Sequence, residues 1–333
     1  MEKEPEPERM VKVVRSHDDS IKLLSCRYRS SGYLTALMAA LQDTNDEHAR
    51  TPANHLKRKA ELTGVMAAGP TRNRFVVPTQ NALNHSLGLL RQPWWKIYEG
   101  LEYSSNQGSD NGAVILSRRI QRRDEPPDSL YVIQKEPYHL SDEVRTILKP
   151  MHDNIVTLYQ VFHYEETLSF VYEEMDISLE QIFLLDVDPW SINPSQRDEQ
   201  IASISQQVLT ALWYVHEQLH ISHGDVSIAN ILLSRTGTVK LANIGRSIMN
   251  AEPKTSDDCR AFAAIFVALS LPMEIKPSQD KLASTACDFH KALHNGNILD
   301  TLQHAYLRSA HPGELVKLVI RTMRVSYNPP DPY

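Results

Sequence analysis

Five strand-type runs stand ahead of a helical remainder in this chain, and that order constrains its fold more than any single residue does. Trp94-Trp95-Lys96-Ile97-Tyr98, Ala113-Val114-Ile115-Leu116-Ser117 and Ser129-Leu130-Tyr131-Val132-Ile133 are separated by turn-forming stretches. Ile155-Val156-Thr157-Leu158-Tyr159 and Leu168-Ser169-Phe170-Val171-Tyr172 follow, after a short helical stretch around Asp142 to Lys149. Such β-branched and aromatic runs fit a pleated, half-buried surface. Beyond them the period changes. Arg197 to Leu219 carries Ile201, Ile204, Val208, Leu212 and Val215 at three- and four-residue steps, which predicts an amphipathic helix. Asp258 to Leu271 is apolar nearly all round and predicts a buried helix; Leu302 to Leu307 and Gly313 to Val325 predict two more. Strands grouped ahead of helices predict an α+β fold in two lobes. The smaller, β-rich lobe with one short helix spans about 91–172, and the larger, α-helical lobe about 177–330.

A chain of 333 residues, 41% apolar and 23% charged, can bury a sizeable core. Its net charge of −6 provides no whole-chain attraction to nucleic acid or anionic lipid, and neither is expected as a partner. The longest apolar stretch, Ala261 to Met273, is too short to span a bilayer and is interrupted by Ser270 and Pro272. Residues 1–90 read as a poorly ordered extension: an acidic Pro-Glu start, the polar run Asp43 to Arg50, and Met66 to Asn73. The start lacks the apolar core of a secretory signal. Leu56-Lys57-Arg58-Lys59 reads as a solvated charge run in preference to a nuclear signal. Cys26, Cys259 and Cys287 form neither a disulfide framework nor a zinc spacing, so a reducing, intracellular and cytoplasmic setting is expected.

The octet His223-Gly224-Asp225-Val226-Ser227-Ile228-Ala229-Asn230 sets a carboxylate and a carboxamide five residues apart, just ahead of the apolar run Ile231-Leu232-Leu233. Together with the order of elements around it, the octet resembles the catalytic loop of the protein kinases. The resemblance runs from Trp94 to near the C-terminus. It implies that Asp225 accepts the proton of a substrate hydroxyl, that Asn230 holds magnesium, and that ATP is the nucleotide. Val132-Ile133-Gln134-Lys135 stands where the family carries its third-strand lysine, which implies a phosphate contact for Lys135 with Glu143 as its helix partner. His152-Asp153-Asn154-Ile155-Val156 resembles the entry to the fourth strand. Tyr172-Glu173-Glu174-Met175 resembles the hinge, with Tyr172 as gatekeeper and the backbone of Glu173 and Met175 meeting an adenine edge. Val114 and Leu232 match the residues that sandwich adenine, and Ile147, His223 and Ile244 match an internal stack linking the lobes. Asn243-Ile244-Gly245 fills the D-F-G slot, making Asn243 the second metal position. Asp258 matches the aspartate that braces the catalytic loop. Singly, each residue has a plainer explanation, Lys135 as a surface lysine and Glu143 as a solvated helix residue. Their common order does not.

Several departures from the family pattern bear on chemistry. Of the glycine-rich loop only Gly112 is in place; Gln107 and Ser109 fill other glycine slots, and side chains there obstruct close approach to phosphates. Ile133, two residues from Lys135, shares its strand face and crowds the cleft unless the register shifts by one residue. Asn243 offers a neutral carbonyl where a carboxylate is the better ligand for a hard cation. Ser227 and Ala229 replace the charges that stabilise the transferring phosphoryl group, and one such contact is typically worth roughly 10²–10³ in turnover. Gly224 replaces the arginine of H-R-D. Only fifteen positions separate Asn243 from Asp258, so the segment that grips a peptide substrate is short.

The resemblance therefore implies a pseudokinase, with weak or no binding of ATP and magnesium, acting through a protein partner. Two alternatives stay open. One is a divergent, active Ser/Thr kinase acting on a protein substrate; the other is a structural kinase-like fragment whose cleft is filled by its own side chains.

Overall fold

The computed structural model describes residues 86–104, 114–120, 129–138, 146–185, 190, 193–253, 256–271, 284–295 and 297–327. Strands β1 (Ser86–Leu90), β2 (Tyr98–Ser104), β3 (Val114–Arg119), β4 (Leu130–Pro137), β5 (Thr146–Leu148), β6 (Leu158–Tyr164) and β7 (Thr167–Glu173) form one sheet. Its order is β2-β3-β4-β7-β6-β1-β5. Neighbours are antiparallel except β1 and β6. A second sheet, β10-β9-β8, joins β8 (Ile177–Ser178), β9 (Ile231–Leu233) and β10 (Val239–Leu241) at the base of the cleft.

The expected two-lobed α+β fold is present, with local corrections. Trp94–Lys96 is a 3-10 turn and not a strand start; β2 begins at Tyr98. In a strand, Trp94 and Trp95 would point to opposite faces. The turn instead brings both to one side, where Trp94 is buried and Trp95 stacks edge-on against Tyr164 at 5.5 Å. The helix expected around Asp142 to Lys149 is replaced at its C-terminal end by β5, which pairs with Ser86–Gly88 and buries Ile147 and Leu148. β1 provides the partner edge that makes a strand the better state there, and the sheet accordingly begins at Ser86, ahead of residue 91. Ile155 does not open β6; it bridges Leu241, and the Val156 N–H donates to the Leu241 carbonyl at 2.9 Å.

The C-terminal lobe is built on α1 (Leu179–Phe183), α2 (Pro194–Trp213), α3 (Ile244–Asn250), α4 (Asp257–Ser270), α5 (Ser284–His294), α6 (Ile298–Leu302) and α7 (Pro312–Tyr327). α2 starts where Asn193 caps the Ser195 N–H and proline occupies the first helical position, the arrangement that leaves fewest orphan donors. It buries Ile201, Ile204, Val208 and Leu212, as their spacing predicts, and runs on into a π-helical turn, Tyr214–Gln218. α4 buries residues on nearly all sides, Phe262 and Phe266 among them. The large sheet divides the apolar residues in two. One face joins the main core through Val114, Val132, Phe170 and Tyr172. The other carries a smaller core of Trp94, Tyr98, Ile115, Tyr131, Ile133, Phe162 and Val171.

Candidate functional site

Strand register decides which β4 side chains reach the cleft. Val132 pairs with Tyr172, Gln134 with both Phe170 and Val114, and Lys135 with Ser169. Side chains directly opposite one another share a face, so Val132, Gln134 and Glu136 look into the cleft. Ile133 and Lys135 look outward. Ile133 is fully buried in the outer core, which removes the expected crowding of the cleft. Lys135 lines an outer cavity with Trp95 and Tyr164 and does not face the catalytic loop. Gln134 therefore stands at the cleft-facing position expected to hold the lysine. It is 3% exposed, and its Nε2 donates weakly to Glu136 Oε1 at 3.4 Å. Burial raises the Glu136 carboxyl above its ordinary value, Arg246 on α3 pulls it back, and Asp225 raises it further. That dependence on Asp225 and Arg246 agrees with a cleft-facing Glu136. The signal available beforehand was the crowding by Ile133, which a one-residue shift relieves.

Across the cleft, Asp225, Asn230 and Asn243 come together as expected, but as a closed hydrogen-bonded set. Asn230 Nδ2 donates to the Asp225 carbonyl at 2.9 Å, which turns Asn230 Oδ1 towards Asn243. Asn243 must then present its own Nδ2, which donates to Asn230 Oδ1 at 2.8 Å and to Asp225 Oδ2 at 3.3 Å. An N–H donor thus occupies the space between two oxygens where the resemblance expects a cation. The amide does not fit magnesium in this orientation, because it presents no lone pair. Among the described residues no group of three or more His, Cys, Asp or Glu side chains is placed to hold a metal.

The loop itself is braced as expected. Asp258 at the start of α4 accepts from the His223 N–H at 2.7 Å, the Gly224 N–H at 2.8 Å and His216 Nε2 at 2.7 Å. Burial alone raises its pKa, but the His216 hydrogen bond, the nearby His223 and the two backbone donors outweigh it and hold the carboxyl below its ordinary value. His223 Nε2 meets the Ala242 carbonyl at 2.8 Å, tying the loop to the chain entering Asn243. Gly224 takes φ +73°, a left-handed conformation that accounts for glycine there.

Behind the loop, Tyr172 and Phe170 close the inner end of the cleft against Gly245. Sequence reading missed the need for glycine at 245: a Cβ would lie 2.5 Å from the Tyr172 hydroxyl and 2.6 Å from the Phe170 ring. Val114, Leu232 and Met175, which the resemblance places around an adenine ring, are buried. The Glu173 carboxylate is engaged by Lys240 Nζ at 2.6 Å and by the Thr157 N–H at 2.6 Å. Its backbone N–H donates to the Thr157 carbonyl at 3.0 Å. Gly112 and Glu143 lie outside the described residues.

Comparison with known proteins agrees with this architecture. Residues 129–264 match the family model described as protein kinase domain. A Xenopus tropicalis protein named cyclin-dependent kinase 14 is 31% identical over 143 residues, 43% of this chain and 30% of its own length. Human cyclin-dependent kinase 15 is 36% identical over 94 residues, 28% of this chain and 20% of its own. The tobacco mitogen-activated protein kinase kinase SIPKK is 31% identical over 113 residues, 34% of this chain and 30% of its own. The chain thus spans less than a third of the length of these curated relatives.

Proposed function

This chain is a member of the protein kinase superfamily, and from that premise we propose that it is a pseudokinase acting through protein partners, with ATP held weakly or not at all. The observation that carries the reading is the Asn243 amide, whose Nδ2 donates to both Asp225 and Asn230. Asn230 Oδ1 and Asp225 Oδ2, the oxygens turned towards the gap, each accept from that one amide. Gln134 at the cleft-facing third-strand position supports the same reading. Its neutral amide makes weaker contacts to phosphate oxygens than an ammonium does.

Without the metal and the lysine, the parts left to the site are Asp225 and a well-braced loop. Asp225 accepts protons but has no held phosphoryl group to act upon. A braced loop in a cleft that lacks the metal and the lysine is suited to docking rather than turnover, in the intracellular, cytoplasmic setting that the cysteine usage suggests. The packing of Tyr172 and Phe170 on Gly245 favours a second reading, in which the cleft is closed to nucleotide altogether.

The test uses the full chain. Thermal shift with ATP, with and without magnesium, is expected to show little magnesium-dependent change, together with no phosphate transfer to the chain itself or to a general protein substrate. Robust transfer that disappears in Asp225→Ala would overturn the pseudokinase reading in favour of an active, divergent Ser/Thr kinase. Binding of ATP without metal separates the pseudokinase from the closed-cleft fragment.

A further inference from the structure

Two side chains of the C-terminal lobe, well away from the octet in sequence, converge in a way that the kinase-like site does not use, and we propose that His290 and His294 on α5 form a zinc-binding site. The imidazoles stand four residues apart, so they lie on one helix face. Their Nε2 atoms are 3.3 Å apart while the ring centres are 4.7 Å apart, so both nitrogens turn inward to a common space. Two nitrogens bound to one zinc at about 2.0–2.1 Å and the tetrahedral angle are separated by about 3.3–3.4 Å. A square-planar copper or nickel ion at similar bond lengths needs about 2.8–3.0 Å, a poorer match. Two histidines at this spacing on one helix face are an established way of holding zinc.

A hydrogen bond between the imidazoles, with one Nε2 protonated and the other accepting, accounts for the same contact without a metal. Zinc instead takes the lone pairs of both Nε2 atoms, and each ring then carries its proton on Nδ1. For His290 that atom is buried with no partner among the described residues, a cost that keeps the expected affinity moderate. The surroundings favour the metal in other respects. Burial is the main cause that lowers both pKa values, His290 to about 4 and His294 below its ordinary value, so both rings are neutral at pH 7 as a metal requires. Arg260 on α4 is the cation that bears on His294, and Asp257 pairs with it at 2.7 Å, which offsets its charge. Phe289, next to His290, packs against Phe266 and Tyr306 at 5.0 Å each, which fixes the helix in place. His294 is exposed, and no third His, Cys, Asp or Glu joins the pair among the described residues, so water completes the coordination.

The test is isothermal titration of the full chain with zinc chloride, read alongside long-range ¹H–¹⁵N spectra of the histidine rings. Zinc is expected to bind with Kd on the order of 10⁻⁵ M, weaker than at four-ligand sites, and to shift the Nε2 signals of His290 and His294. His294→Ala, a change at the surface, should weaken this site at least about 100-fold, because a lost ligand costs more than a lost outer-shell partner. His290→Ala should do the same, with circular dichroism confirming the fold. Magnesium in about hundredfold excess should not compete, since a hard cation prefers oxygen ligands. Absence of zinc binding at submillimolar concentration, Nε2 signals that do not move, displacement by magnesium, or an affinity unchanged in His294→Ala would each overturn the proposal.

Discussion

The Tyr172 hydroxyl accepts a hydrogen bond from the Gly245 N–H at 3.0 Å, so a side chain of the large sheet caps a helix of the other lobe. Gly245 lies in the first turn of α3, where helical N–H groups lack internal partners, and Asn243 provides no side-chain cap of its own. Burial pushes the Tyr172 phenol well above its ordinary pKa, so it stays protonated under all ordinary conditions.

Tyr172→Phe leaves a buried N–H unpaired. A loss of about 1–3 kcal/mol in folding stability is expected from urea denaturation. Gly245→Ala should cost about as much through overpacking against Tyr172 and Phe170. If neither change shifts the midpoint, the contact does not couple the lobes.

Asn243→Asp replaces the bridging donor with a carboxylate beside Asp225. Without divalent cations the two negative charges repel, and the melting temperature should fall below that of the wild type. Magnesium should then restore it, by about 2.7 kcal/mol when magnesium stands about 100-fold above Kd. The wild type should show no such response. A magnesium shift of equal size in both proteins would mean that the Asn243 amide does turn over to present its carbonyl.

Asp258→Asn removes the charge that answers His216 and two loop N–H groups. Weakening charge-assisted hydrogen bonds to a buried carboxylate costs about 1.5–3 kcal/mol. Because the Asp258 pKa is depressed, its contribution is present above the ordinary carboxylate range and lost as pH falls below it. The variant's stability should therefore vary less with pH in that acid window, measurable by denaturation at a series of pH values.

His290 on α5 is 6% exposed, and burial, followed by the charge of His294, lowers its pKa to about 4. Between the ordinary value of 6.5 and about 4, the unfolded chain takes up a proton that the folded chain refuses. Stability should thus decline as pH falls through that window. His290→Gln is expected to flatten the decline, and an unchanged slope would assign it to other groups.

Much of this protein was legible beforehand. The steps of Ile201, Ile204, Val208 and Leu212 named α2 and its buried side, because a 3.6-residue period leaves few alternatives. The catalytic-loop octet placed Asp225 and Asn230, and the brace from Asp258 follows the expected pattern. Boundaries near β1 and β5 were not legible. Those short strands exist because β5 pairs with β1 and β1 in turn with β6, and no local signal announces such a partner.

What the sequence determined by itself is the two-lobed fold and the identity of the residues at Asp225, Asn230, Asn243 and Asp258. Tertiary structure decided where those residues and their neighbours point. In Val132-Ile133-Gln134-Lys135 apolar residues occur on both strand faces, so alternation alone does not say which face is the cleft. Pairing with Phe170 and Tyr172 settles it, and a one-residue difference exchanges Lys135 for Gln134, since side-chain direction repeats every two residues. The amide orientation of Asn243 is likewise set by tertiary contacts, the Asp225 carbonyl acting through Asn230 and the Asp225 carboxylate acting directly.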